Sequence, residues 1–218
     1  MVYKNLSKSK YSCKIRLVVS MINSYKDFKK FLLEQNGKSL LIHACCAPCS
    51  SAVLELLNQY FKITIYFYNP NIEPYEEFNR RYDELVGLIK KMNLNVEVIK
   101  GDYDEAFKEI SKGLEMEPER GKRCYKCYRL RMVKTAQLAK ELGFDFFTTT
   151  LSISPHKNSL WINEIGYILE DEINVKFLYS DFKKEDGYKK SIELSKKYDL
   201  YRQDYCGCIY SKKVLTNQ

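Results

Sequence analysis

The chain has no apolar run long enough to cross a membrane or to form the core of a signal peptide. Its longest early apolar stretch, Leu17 to Ile22, follows Arg16 and is broken by Ser20. No membrane partner is expected, and the chain is expected to stay in the cytosol. Glycine is sparse, 9 residues in 218, and none falls between Cys45 and Ser51, just past the first apolar run. An ATP-dependent tRNA-modifying enzyme of α/β architecture cradles pyrophosphate in a Gly/Ser-rich loop at that point, so the missing glycine counts against nucleotide use. Only 2 histidines are present. His43 lies inside an apolar strand and reads as a satisfied core residue before it reads as a ligand. With 45% hydrophobic and 29% charged residues, the chain has a globular profile and enough length for one well-filled core.

Cysteine is what the chain has in place of these. Seven of its 8 cysteines fall into three clusters: Cys45-Cys46-Ala47-Pro48-Cys49, Cys124-Tyr125-Lys126-Cys127 and Cys206-Gly207-Cys208. Thiols are kept reduced in the cytosol, so grouping points to metal or redox chemistry rather than to a disulfide framework. The clusters are separated by residues 50–123 and 128–205, so only a finished fold can bring them together. Adjacent side chains in an extended segment point apart, which is awkward for a single small ion. An iron–sulfur cluster offers more widely spread ligand positions, and spacing favours it over structural zinc. Cys49 is then either a ligand for a second metal or a packed thiol. Cys206-Gly207-Cys208 either adds ligands or closes as a strained, redox-active disulfide, with Gly207 permitting the bend. Cys13 stands alone and reads as incidental.

Strand-like and helix-like segments alternate. A short helical pattern at Ser24–Gln35, with Ser24 or Asp27 as cap and Phe28, Phe31 and Leu32 on one face, ends an N-terminal extension over residues 1–38. In the remaining domain, 39–218, strands are predicted at 39–44, 62–68, 95–99, 144–151 and 175–179. Helices are predicted at 50–61, 74–92, 102–112, 124–142, 158–169 and 186–198. The alternation predicts an α/β fold, a single doubly wound parallel sheet of about five strands covered on both faces. Ligands bind such sheets at the carboxyl ends of the strands, where the strand order reverses. The first cysteine cluster follows strand one directly. In the common order strand four adjoins it, so Thr148 to Ser154 is expected to line the same crevice.

Net charge is +8, and 18 Tyr and 11 Phe make the chain rich in aromatics. Such a surface suits nucleic acid, although lysine pairs such as Lys183-Lys184 and Lys196-Lys197 equally form a solvated face. Arg129, Arg131 and Arg202 stand near cysteine clusters, where they would meet a polyanion or form surface salt bridges. Ser152 to Lys157 offers hydroxyls and backbone N–H groups for a phosphate or for capping a helix.

Five segments together resemble the QueH-type epoxyqueuosine reductases over residues 39–211. They are His43-Ala44-Cys45-Cys46-Ala47-Pro48-Cys49, Tyr68-Asn69-Pro70-Asn71-Ile72, Cys124-x-x-Cys127-Tyr128-x-x-Arg131, Thr148 to Lys157, and Tyr201 to Cys208. The resemblance implies a nucleotide-alpha-hydrolase-like fold. It also implies a cobalamin-independent oxidoreductase that removes the epoxide oxygen of epoxyqueuosine in tRNA with a GUN anticodon, drawing on an unknown electron donor. It further implies a [4Fe-4S] cluster held by Cys45, Cys46, Cys124 and Cys127, and an additional mononuclear iron near Cys49, where family members can carry an aspartate. Cys206 and Cys208 would be the redox-active pair, with Asp204 as an acid. The competing reading is a zinc-stabilised RNA-binding module without catalysis.

Overall fold

The computed structural model describes residues 25–215, so Cys13 and Ser24 lie outside the described residues. Five strands form one sheet: β1 (Lys38–His43), β2 (Phe61–Phe67), β3 (Glu97–Lys100), β4 (Phe146–Thr149) and β5 (Lys176–Phe177). Their order is β3-β2-β1-β4-β5 and every pairing is parallel. The chain moves outward from β1 to β3, then returns to place β4 on the other side of β1. The reversal of strand order therefore falls beside β1, as the doubly wound reading requires.

Eight α-helices are described: α1 (Tyr25–Glu34), α2 (Ala47–Leu57), α3 (Tyr75–Lys91), α4 (Ala106–Ser111), α5 (Lys122–Glu141), α6 (Ser159–Ile173), α7 (Gly187–Lys197) and α8 (Ile209–Leu215). Side chains alternate along β1. Leu40 and Ile42 join the core under α1, α2, α3 and α7, whereas Leu41 joins the core under α5 and α6. Burial on both faces explains why β1 reads as an uninterrupted apolar run. Helix α1 is packed on this body: Leu32 is fully buried, Phe28 meets Phe182 edge-on and Phe31 meets Phe146. Among the described residues no helix is long and apolar enough to cross a membrane.

Several boundaries differ from the sequence expectation, and the differences matter at the site. Helix α2 begins at Ala47 rather than residue 50, because Pro48 fits a first helical turn. Cys46 thus becomes the residue before the helix, and Cys49 sits inside its first turn. Strand β4 stops at Thr149, whose side chain accepts the Leu151 N–H and turns the chain into a 3-10 helix at Thr150–Ile153. Helix α6 is capped by Asn158, which accepts the N–H groups of Leu160 and Trp161, and it runs on to Ile173 before Asn174 ends it in the left-handed region. Helix α4 starts later than expected, after Asp104 accepts the Ala106 N–H at 3.0 Å. Strand β5 is confined to two paired residues. Helix α8 was not anticipated, since a short polar segment carries little periodic signal.

Gly166 faces the ring of Phe177, and a β-carbon at this position would overlap the ring. Phe177 cannot yield, being packed on Phe147 with centroids 5.0 Å apart and on Tyr179 at 5.2 Å. Gly166→Ala is therefore expected to cost about 1–3 kcal/mol of stability, read as a lower midpoint in urea unfolding; an unchanged midpoint would contradict this packing.

Candidate metal centre and active site

Three chain segments leave the carboxyl ends of β1, β2 and β4 and are tied together by His43. Its Nε2 lies 3.1 Å from the Tyr68 carbonyl, which can only accept, so Nε2 carries the proton. Its Nδ1 then accepts from the Thr149 hydroxyl at 2.9 Å. Burial, with the Arg131 charge adding to it, lowers the His43 pKa to about 3 and keeps the ring neutral. Asn69 completes the junction by donating to the Ala44 carbonyl at 2.8 Å. His43 is thus the core residue that its sequence setting suggested.

The chain bends at Cys45 as it leaves β1. This bend overturns the expectation that the adjacent thiols diverge: the Sγ atoms of Cys45 and Cys46 lie 3.8 Å apart. Cys49 joins them from the first turn of α2, and all three Sγ atoms fall within 4.8 Å of one another. Hydrogen bonds from Cys46 and Cys49 draw the Cys45 pKa well below the ordinary thiol value, while Cys46 is pushed up to about 12 in return. Three soft thiols at this distance fit a metal centre on chemical grounds.

The other two clusters approach from elsewhere. Cys124 and Cys127 lie in the first two turns of α5. Cys127 packs with Cys208 and Phe107 in a small apolar cluster, and burial pushes its pKa up to about 11. The Cys206–Cys208 turn is fastened at several points. Arg81 Nη1 donates to the Cys206 carbonyl at 3.2 Å, Glu73 N–H donates to the Gly207 carbonyl, and Tyr210 lies over the Arg123 guanidinium. Gly207 adopts φ +105°, and a β-carbon there would crowd Arg81 and Ile72, so glycine serves between the two thiols. All seven described cysteines are free thiols. Charge on Cys206 acts on Cys124, Cys127 and Cys45, so the three clusters lie within electrostatic reach of one another. Among the described residues, however, only Cys45, Cys46 and Cys49 meet closely enough to form a three-ligand group.

Cationic side chains surround these thiols. A cleft of about 450 Å³ is lined by Cys45, Cys46, Cys49, Arg81, Lys157 and Cys206, among others. Burial opposes the charge of Lys157, but the thiols of Cys206, Cys45 and Cys49 outweigh it and raise its pKa. Arg131 is not the surface group that its position near a cluster suggested. It is fully buried and donates to the Cys127 carbonyl at 3.2 Å and to Asn69 at 3.5 Å. Arg81 was missed in the sequence, where it looks like any charge on an amphipathic helix; it is buried and paired with Glu77 at 2.6 Å. Arg129 instead makes an exposed ion pair with Glu172, and Arg202 donates to Ser195 Oγ at 3.0 Å. Ser152 accepts the Phe182 N–H and Ser154 the His156 N–H, so both hydroxyls serve the loop. A second cavity of about 410 Å³, lined by Phe28, Val53, Leu56 and Phe182, contains no thiol.

Within the last pair, the hydrogen bond from Cys208 draws the Cys206 pKa well below the ordinary thiol value, with Lys157 and Arg131 assisting against burial. Cys208 is raised by the same bond. In reduced, metal-free protein at pH 7, iodoacetamide is therefore expected to alkylate Cys206 before Cys208, as read by peptide mass mapping. Equal rates would show that the pair is not polarised.

The family model "Epoxyqueuosine reductase QueH" matches residues 40–214. The chain is 46% identical over 182 residues to the epoxyqueuosine reductase QueH of Streptococcus pyogenes serotype M1, covering 81% of this chain and 71% of the relative. It is 41% identical over 201 residues to that of Staphylococcus epidermidis, covering 87% and 84%. It is also 36% identical over 187 residues to that of Thermotoga maritima, covering 79% and 90%. Among solved structures, the U34-tRNA thiolase NcsA from Methanococcus maripaludis with its [4Fe-4S] cluster superposes with TM-score 0.51 and 16% identity, over 94% of this chain and 69% of that one, a likeness of fold. By the extent and identity of these matches, the chain belongs to the QueH family of epoxyqueuosine reductases.

Proposed function

We propose that the chain removes the epoxide oxygen of epoxyqueuosine in cytosolic tRNA, leaving queuosine at the wobble position of GUN anticodons. The observation that carries this reading is the family membership of residues 40–214. The cleft at the carboxyl ends of β1 and β4, with thiols and cations on its walls, supports it. In this reading Cys45, Cys46, Cys124 and Cys127 hold a [4Fe-4S] cluster, and Cys49 holds an additional iron. A [4Fe-4S] cluster on the similarly folded tRNA thiolase is consistent with that assignment. Bound there, such a centre supplies single electrons and a Lewis acid for the oxygen that gains charge as the C–O bonds break.

The electron balance assigns work to the last two cysteines. Converting an epoxide to an alkene consumes two electrons and two protons and releases water. Oxidation of the Cys206 thiolate and the Cys208 thiol to a disulfide supplies two electrons and one proton, the second proton coming from an acid in the cleft, after which an external reductant restores the pair. The low pKa of Cys206 suits it to begin that exchange. Asp204 lines the cleft and, in this reading, is the acid that returns a proton to the leaving oxygen. Lys157, whose pKa the thiols raise, lines the same cleft and in this reading attracts negative charge there.

One observation favours the zinc reading. Four thiolates at about 2.3 Å from one ion stand about 3.8 Å apart, and Cys45 and Cys46 have that 3.8 Å separation. Purification without oxygen separates the two: a colourless zinc protein supports the single ion, whereas a brown protein containing iron and sulfide supports the cluster.

Anaerobic reduction of epoxyqueuosine-tRNA with a chemical reductant, followed by mass spectrometry of the nucleoside, is expected to yield queuosine. Unreacted epoxyqueuosine with a fully loaded centre would refute the assignment. Cys206→Ser is expected to keep the iron and abolish turnover with the physiological donor; loss of iron in that variant would make Cys206 a ligand.

A further inference from the structure

Two buried guanidinium groups flank the thiols, and each has one nitrogen without a protein partner. Arg131 Nη2 and Arg81 Nη2 are both buried and unbonded. The remaining nitrogens are fixed: Arg131 by the Cys127 carbonyl and Asn69, Arg81 by Glu77 and the Cys206 carbonyl. A buried N–H left without an acceptor costs about 1–3 kcal/mol, more when the group is charged. Neither nitrogen has an acceptor from the chain, so each is free to meet an acceptor that the site holds.

The two arginines differ in one respect. Arg81 is paired with the Glu77 carboxylate at 2.6 Å, and both side chains are nearly inaccessible. Arg131 has no carboxylate in ion-pair contact among the described residues; the groups that favour its charge against burial are the thiols of Cys127, Cys206 and Cys45. Arg131 is thus a buried positive charge that no carboxylate answers among the described residues. A four-thiolate iron–sulfur cluster is anionic and gains a further negative charge on reduction, and its potential responds to nearby charge and to hydrogen bonds on its sulfurs.

We propose that Arg131 is a positioning residue that raises the reduction potential of the centre by its uncompensated charge and its free Nη2–H, with Arg81 in a lesser role muted by Glu77. This rests on the cluster assignment above. It adds a positioning function for the buried arginine.

The test is a spectroelectrochemical titration of anaerobically loaded protein, with iron and sulfide measured in each variant. Arg131→Gln keeps an amide N–H at the position from which Nε donates to the Cys127 carbonyl but removes the charge. It is expected to shift the oxidised-to-reduced ratio at fixed potential at least tenfold toward oxidised, a fall of about 59 mV for one electron. Arg131→Lys, which keeps the charge, is expected to stay near the parent value. Glu77→Gln, which unmasks Arg81, is expected to move the potential upward; it provides an independent reading should Arg131→Gln not accumulate as folded protein. A loaded cluster whose potential is unchanged in Arg131→Gln, or unchanged in Glu77→Gln where Arg131→Gln fails to fold, overturns the inference and leaves the cluster assignment standing. Equal falls in Arg131→Gln and Arg131→Lys would mark a structural role and overturn it as well. Parent protein without iron and sulfide overturns the cluster assignment and this inference together.

Discussion

The attraction between buried cations and thiolates is the interaction on which the site depends. Taking a guanidinium or ammonium group out of water costs several kcal/mol per ion unless an opposite charge meets it. Arg131 and Lys157 act with Cys45 and Cys206, the two thiols whose pKa values are drawn down, and Arg81 is paired with Glu77. The hydrogen bond from Cys208, with Lys157 and Arg131 assisting, holds the Cys206 pKa well below the ordinary thiol value despite burial. Each charge is tolerable because the other is present, so neither the cysteines nor the basic residues can be understood separately.

The fold supplies the geometry for that balance. A parallel sheet directs the ends of β1, β2 and β4 to one edge, and the strand order reverses beside β1. His43, neutral and bonded on both ring nitrogens, joins the three ends where they emerge. The bend at Cys45 then turns adjacent thiols toward one another, and Pro48 starts α2 early enough to bring Cys49 beside them. The C-terminal turn reaches this edge through Arg81 and Gly207, while Arg123 and Tyr210 hold the start of α8 to α5.

Much of the architecture was legible in the sequence because buried strands and amphipathic helices leave periodic traces. All five strands and their alternation with helices could be read, and so could the position of the first cysteine cluster past β1. The start of α2 was less legible, since Pro48 acts through local backbone geometry that hydropathy does not register, and so was the end of α6, which runs on to Ile173. The convergence of Cys45 with Cys46 was misread, because strand alternation was extended one residue beyond the strand. Arg131 was misplaced and Arg81 overlooked for a common reason. A charged residue on a helix signals solvent by default, and only packing against α5, β2 and the C-terminal turn reveals its burial.

By itself the sequence determined the α/β class, the family, and the inventory of thiols, since these follow from residue types and their spacing along the chain. The tertiary structure alone decided which thiols meet, which stay apart, and which cations face them. Contacts such as Arg81 with Cys206, or Thr149 with His43, join residues more than a hundred positions apart. No local pattern encodes them, because they arise when separately formed elements pack and the buried charges find the partners that make their burial affordable.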